Sequence, residues 1–502
     1  MNLPSIESFD VIVVGGGNAA LCAALSAAEQ GARVAVLERA PRDRRGGNSA
    51  FTGGAFRVVY DGVDDLRKLV PDMTDQEADS ADFGTYTAEQ FYDEWTASSQ
   101  YRCDADIVDK VVKESQDTLL WLIRNHRVRF VPLFGRQAFK VGGKFKFWGG
   151  LTIEASGGGL GLMETLYQRA EERSDAMTVH YGTRVTRLER DPAQQGWIVH
   201  CTSRDGPVAY TARAVVLASG GFHANLEWRA RYLGPGWDMA KVRGSRYNTG
   251  DGIQAALDIG AMAHGNWTGC HSVFFDMNAQ PFGDLGVLNQ QKNYFTLGVV
   301  VNADGKRFFD EGTDLRNYTY SLMGARVLAQ PGAIAWQVFD QQTASLLPDE
   351  YRVRHATRVE APTLEALADK MDGVDKAGFL ATMREFNAAV QTDRPFNPAV
   401  KDGRCTTALA IPKSNWSLRL EQGPFVAYGV TCGITCTYGG VKVDTDARVL
   451  DQEDRPIDGL YATGELVGGL YYVKYAGGAG LTAGSVLGRT AGRHAARTVL
   501  DR

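Results

Sequence analysis

The residues that first point to chemistry are Gly15, Gly17 and Ala20, with Glu38 following at the end of the next apolar run. The spacing Gly15-x-Gly17-x-x-Ala20 suits a dinucleotide: one glycine for a tight turn, one for close backbone approach to a pyrophosphate, and a small residue for helix–strand packing. An acid roughly 20 residues on suits a ribose hydroxyl. Glycine triplets also end ordinary strands, but Glu38 and the two flanking strands favour nucleotide binding. Far downstream, Gly459-Leu460-Tyr461-Ala462-Thr463-Gly464-Glu465 is a second strand-to-glycine turn ending in an acid that can bond a ribityl chain, which favours FAD over NAD. Gly46-Gly47-Asn48-Ser49 and Gly53-Gly54 add a backbone-donor loop.

The elements that must position these residues can be read around them. Val11–Val14 is an apolar strand, Asn18–Gln30 an alanine-rich helix stopped by Gly31, and Arg33–Glu38 a second strand, together a βαβ unit. Short β-rich runs from Thr178 end in Ala214–Gly221, a buried parallel-type strand running into glycine. From about Trp267 to Ile434 the pattern changes to mixed strands and helices, and after Gly439 glycine-dense strand and helix signals return. One domain split by an insertion is expected. The Asp-rich stretch Tyr60–Phe83 loses periodicity and is read as a solvated surface insertion.

Length and composition bound the function. A chain of 502 residues has room for two or three domains. Its 54 basic and 59 acidic residues are interspersed, with a net charge of -5, which argues against nucleic acid as a partner. Seven cysteines without a C-x-x-C pair suggest neither a disulfide framework nor a metal or iron–sulfur site. No apolar run approaches the roughly 18 residues of a membrane span, so a cytoplasmic protein with no membrane span is expected.

With these motifs in place, the chain resembles the flavoprotein family of fumarate reductases and succinate dehydrogenases. The resemblance runs through Gly15–Ala20, Gly46–Gly54, Asn248-Thr249-Gly250-Asp251-Gly252, Gly305-Lys306-Arg307-Phe308 and Gly464-Glu465. Within it the chain is most similar to FAD-dependent tricarballylate dehydrogenases, through Tyr232–Trp237, Arg246–Gly252, Arg316–Tyr320 and Pro412–Trp416. The resemblance implies an α/β fold: a Rossmann-like FAD-binding domain in two parts, 1–266 and 436–502, interrupted by an α+β capping domain, 267–435. It also implies that Asn18, Ala19, Arg39, Val185, Ser219, Gly220, Asn248, Asp251, Gly480 and Leu481 lie against the cofactor. Relatives with covalent flavin carry a histidine where this chain has Arg44-Arg45, so non-covalent FAD is expected.

The same resemblance supplies candidate catalytic residues. His271 matches a histidine that holds a substrate carboxylate, and Arg316 falls where the family places a proton-delivering arginine; a plain carboxylate clamp is the alternative for Arg316, since arginine stays charged. Two positions depart from the family. Cys436 stands where a second substrate histidine is found, and Tyr475 where a second carboxylate-binding arginine is found. Tyr475 before a glycine-rich turn is similar to the carbonyl-binding corner of ketosteroid dehydrogenases; Cys436 is an apolar filler or a reactive thiol. Arg243, Arg246 and Lys474 are spare cations for further carboxylates.

The function implied is α,β-dehydrogenation beside a carboxylate or carbonyl, or the reverse C=C reduction, with tricarballylate to cis-aconitate as the leading case. Desaturation of a cyclic ketone or oxo acid is the enzymatic alternative, and a redox-sensing flavin-binding protein the non-enzymatic one. Partners would be a small carboxylate or ketone and an external electron acceptor or partner redox protein.

Overall fold

The computed structural model describes residues 7–147, 150–192, 196–288 and 290–501. Its main sheet is built around four parallel strands, Met177–Tyr181, Val34–Glu38, Glu7–Val14 and Gly206–Leu217, in that spatial order. The strand Pro456–Ala462 adds in parallel at the end of Gly206–Leu217, while Gly196–Ser203 and Arg184–Asp191 continue antiparallel from its beginning. Val11–Val14 and Val34–Glu38 are buried throughout, as expected for strands covered on both faces.

The helix Asn18–Glu29 is apolar almost all round because it is enclosed between this sheet and the last helix, Ala479–Leu500. The two helices approach closely at Gly484, Gly488 and Gly492, spaced four residues apart along one face. A Cβ at Gly488 would stand 2.5 Å from the Ala19 carbonyl oxygen.

A second sheet is organised by one 17-residue strand, Phe425–Val441, which pairs with Ala263–Asp276, Ala335–Phe339, Arg358–Ala361 and the short Lys241–Val242. Three buried apolar clusters lie within residues 240–434, whereas the largest joins residues 9–261 to 438–499. The antiparallel ribbon of Ala263–Asp276 and Phe425–Val441 runs between these cores, passing through positions 266/267 and 435/436. The ribbon is therefore shared by both cores.

The Asp-rich stretch differs from expectation. It forms the helices Gly62–Leu69 and Asp75–Ser80, and Tyr60, Leu66, Leu69, Val70, Met73 and Phe83 are buried in the largest core. Leu66, Leu69 and Val70 have helical spacing, but the surrounding acids mask it; only the outer face is solvated.

Candidate active site

One continuous cavity runs from the Gly15 turn to the His271–Tyr475 corner. At the nucleotide end Gly15 has φ +110°, and a Cβ there would lie 2.5 Å from the Ala218 carbonyl oxygen, so the turn admits only glycine. Gly17 caps the helix Asn18–Glu29 with no side-chain cap bond, so that helix N-terminus faces the cavity with backbone donors. The Asn18 amide donates to Ser49 Oγ at 3.0 Å, and the Asn18 side chain donates to the Leu481 carbonyl, also at 3.0 Å. Asn18 and Leu481 thus lock the turn to the last helix, with Ala19 packed against Gly484.

Glu38 is only 5% exposed and accepts from the Ala40 amide at 2.6 Å. Burial pushes its carboxyl up to about 7. Nearby, Arg39 and Asp251 face one another rather than standing apart: Arg39 Nη1 lies 2.8 Å from Asp251, which also pairs with Arg184 at 2.7 Å. Val185 lines the same rim. Ser219 Oγ is buried with no partner among the described residues, beside Gly220, where a side chain would run into Asn248. An uncapped helix N-terminus, a turn with no room for Cβ and an orphaned hydroxyl fit the phosphate and ribose of FAD.

The second turn is held from below. Glu465 accepts from the Thr437 amide at 2.9 Å and lies 3.1 Å from Nδ1 of the fully buried His223. In the intervening loop Asn48 donates to the Thr435 carbonyl at 2.5 Å and accepts from the Ser245 amide at 2.9 Å. Asn48 therefore ties the Gly47 loop to the long strand. A Cβ at Gly54 would meet the Gly158 backbone at 2.6 Å, and one at Gly53 would run into the Arg136 guanidinium.

The far end gathers the four candidate catalytic residues. His271 pairs with Cys436 across the ribbon, and irregularities in register on either side of His271 re-aim its neighbours. His271 is 2% exposed; burial, helped by the positive charge of Arg243, pulls its pKa down to about 3, so the ring is neutral. Its ring stands edge-on to Tyr320 and Tyr475, at centroid distances of 5.0 and 4.7 Å. The Tyr475 hydroxyl oxygen accepts from the Gly480 amide at 2.8 Å, so hydroxyl and amide are not two separate donors to a ligand carbonyl; the hydroxyl hydrogen remains. Burial raises the Tyr475 phenol and the Cys436 thiol well above their ordinary values, leaving both protonated. Arg316 donates to the Arg136 carbonyl at 2.7 Å and lies 4.4 Å over the Tyr294 ring.

Several residues here carried no sequence signal. Arg136 lines the cavity and forms an ion pair with Glu350 at 2.9 Å, and Gln291 donates to the same carboxylate at 2.9 Å. These three lie in unrelated segments with no common motif. Tyr320 lies within the Arg316–Tyr320 motif, and nothing in the sequence gives it a role. Arg57, fully buried, donates to the Gly477 carbonyl at 2.8 Å and pairs with Glu94, fixing the turn after Tyr475. Of the spare cations, Arg243 lines the cavity, whereas Arg246 is exposed over Phe282. Among the described residues no helix is long and apolar enough to cross a membrane, and no group of three or more candidate metal ligands occurs.

Comparison with known proteins agrees with the cradle at the nucleotide end. A probable fumarate reductase of Shewanella frigidimarina is 29% identical over 99% of this chain and 76% of its own. A flavocytochrome c3 fumarate reductase, solved in an open conformation, superposes with a TM-score of 0.74 at 27% identity, covering 99% of this chain and 79% of that one. A 3-ketosteroid Δ1-dehydrogenase from Sterolibacterium denitrificans shares the fold at 23% identity and TM-score 0.73, covering 98% of this chain and all of that one. Residues 10–481 match the family described as the FAD binding domain, and with the Gly15 turn, Glu38 and the Glu465 turn facing one cavity, the chain belongs to that family as an FAD-dependent oxidoreductase.

Proposed function

We propose that this enzyme oxidises a saturated carbon–carbon bond beside a carboxylate, or reduces the corresponding C=C bond, with tricarballylate to cis-aconitate as the leading case. The observation that carries the reading is the concentration of Arg316, Arg243 and neutral His271 at the end of the cavity that continues from the FAD cradle. Bound FAD supplies a hydride acceptor or donor. Gly15, Gly17, Glu38, Ser219 and Glu465 would hold it, without a covalent bond to the chain. His271, being neutral, donates one hydrogen bond to a carboxylate, and Arg316 offers a planar fork to the same group. Neutralising the charge of that carboxylate acidifies the α-carbon, whose proton would leave by way of Arg316 to solvent as hydride leaves the β-carbon for the flavin. Residues 267–435 act as the cap that shields these events from water, and an external acceptor or partner redox protein closes the cycle.

Desaturation of a cyclic ketone is a second reading, favoured by the free hydroxyl hydrogen of Tyr475 and by the fold shared with a ketosteroid dehydrogenase. Against it, the Gly480 amide is already engaged by Tyr475, leaving one donor for a carbonyl where two would be more effective. Anaerobic addition of tricarballylate and of cyclic 3-oxo compounds to the yellow protein, followed at the flavin absorbance, separates the readings. Bleaching by the acid supports the first; bleaching by the ketone alone replaces it with the second.

A further inference from the structure

Arg243 follows the short strand Lys241–Val242, and its backbone amide donates to the Ile434 carbonyl at 2.8 Å, two residues before Cys436. Its side chain lines the cavity within electrostatic reach of His271 and Tyr475. The guanidinium makes two long hydrogen bonds, from Nε to Gln291 Oε1 at 3.3 Å and from Nη1 to Thr435 Oγ1 at 3.4 Å. Both acceptors are neutral. The nearby carboxylate, Glu350, is already engaged by Arg136 at 2.9 Å, with the Gln291 amide placed between it and Arg243. Among the described residues Arg243 therefore has no acidic partner.

A half-buried cation held only by neutral acceptors is stabilised when a counter-charge arrives. The protein places such a group at the substrate end of the cavity, where Arg316 comes from a different segment and Arg136 is neutralised by Glu350. Two guanidiniums and one neutral imidazole suit a ligand with more than one anionic group. We propose that Arg243 is a specificity-determining residue that receives an additional carboxylate of the substrate, so that di- and tricarboxylates are selected over monocarboxylates. This rests on the carboxylate reading of the site and deepens it, because Cys436 and Tyr475 leave no cation at their own positions.

The test titrates oxidised, FAD-loaded protein with tricarballylate, glutarate and butyrate, following the perturbation of the flavin spectrum, so that turnover is not required. Arg243→Gln is expected to weaken tricarballylate by roughly 10–100-fold, the loss typical of a charge-assisted bond, while butyrate changes by less than about threefold. Arg243→Lys should recover part of the difference, and flavin content reports whether each variant is folded. If Arg243→Gln loses its flavin, the ratio of tricarballylate to butyrate affinity in Arg243→Lys decides. Equal tricarballylate affinity in folded wild type and variant overturns the inference while leaving the carboxylate reading intact. A wild type perturbed by cyclic ketones and by no carboxylate overturns both.

Discussion

His271 and Tyr475 meet edge to face, with ring centroids 4.7 Å apart and planes at 71°, at the end of the cavity remote from the Gly15 turn. The contact keeps the imidazole in an apolar, aromatic wall, consistent with its low pKa, while the Tyr475 oxygen is turned to the Gly480 amide. Tyr475→Phe preserves the ring contact and deletes only the hydroxyl. With a carboxylate substrate we expect the rate of flavin reduction to fall by less than about tenfold, because one neutral hydrogen bond is lost. With a ketone substrate the fall should reach roughly a hundredfold, as for loss of an oxyanion donor. Stopped-flow reduction of the variant with both substrate types measures the difference.

At the nucleotide end, Gly17 and Gly15 should respond differently to a side chain. A Cβ at Gly17 meets nothing nearer than Ser49 Oγ at 3.4 Å, whereas one at Gly15 meets the Ala218 carbonyl at 2.5 Å and carries a left-handed φ. Gly17→Val should fold but purify with little FAD, since its side chain enters the space in front of the helix N-terminus. Gly15→Val should lose both flavin and stability. Denaturing the wild type should release intact FAD; flavin that stays with the precipitated chain would reject non-covalent binding.

These differences show what could be read from the sequence. The βαβ unit, the glycine turns and the acids Glu38 and Glu465 were legible because backbone approach to a dinucleotide restricts residue type at fixed spacing. His271, Arg316, Tyr475 and Cys436 were found through resemblance, and the fold brings all four to one end of one cavity. The ion pair of Arg136 with Glu350, more than 200 residues apart, was invisible: a pair made by tertiary packing leaves no local pattern. The Tyr60–Phe83 core contacts are masked for the opposite reason, since their helical pattern is present but diluted by acids.

Glu38 makes stability depend on pH. Its folded-state pKa, about 7, lies above the ordinary 4.5, so the protonated form is favoured in the folded protein. That contribution is fully present below about pH 4.5 and is lost as pH rises through 7, amounting to about 3 kcal/mol across the window. In FAD-free protein, the Tm difference between wild type and Glu38→Gln should therefore shift against the wild type from pH 5 to pH 8. A difference that is constant with pH would show that Glu38 is not buried as described.

Arg316 combines a charge with a planar shape. Its guanidinium lies over Tyr294 and reaches the Arg136 carbonyl, neither of which an ammonium reproduces with the same fork. Arg316→Lys should lower the rate of flavin reduction by roughly a hundredfold and weaken carboxylate binding by about tenfold, with FAD content unchanged. If the residue carries a proton as well as binding carboxylate, the residual rate should gain a dependence on pH near the lysine pKa; a pure clamp leaves the pH profile as in the wild type.

We propose C–C oxidation beside a carboxylate at the His271–Arg316 end of the cavity that begins at the Gly15 turn. It is tested most directly by mixing the oxidised holoprotein anaerobically with excess tricarballylate and quantifying both reduced flavin and unsaturated acid by absorbance and mass spectrometry. Bleaching of the flavin with one cis-aconitate formed per FAD reduced is expected, both signals appearing about a hundredfold more slowly in His271→Ala and Arg316→Lys proteins that still carry FAD. A flavin that stays oxidised with every saturated polycarboxylate, or that bleaches equally in those variants, would contradict it.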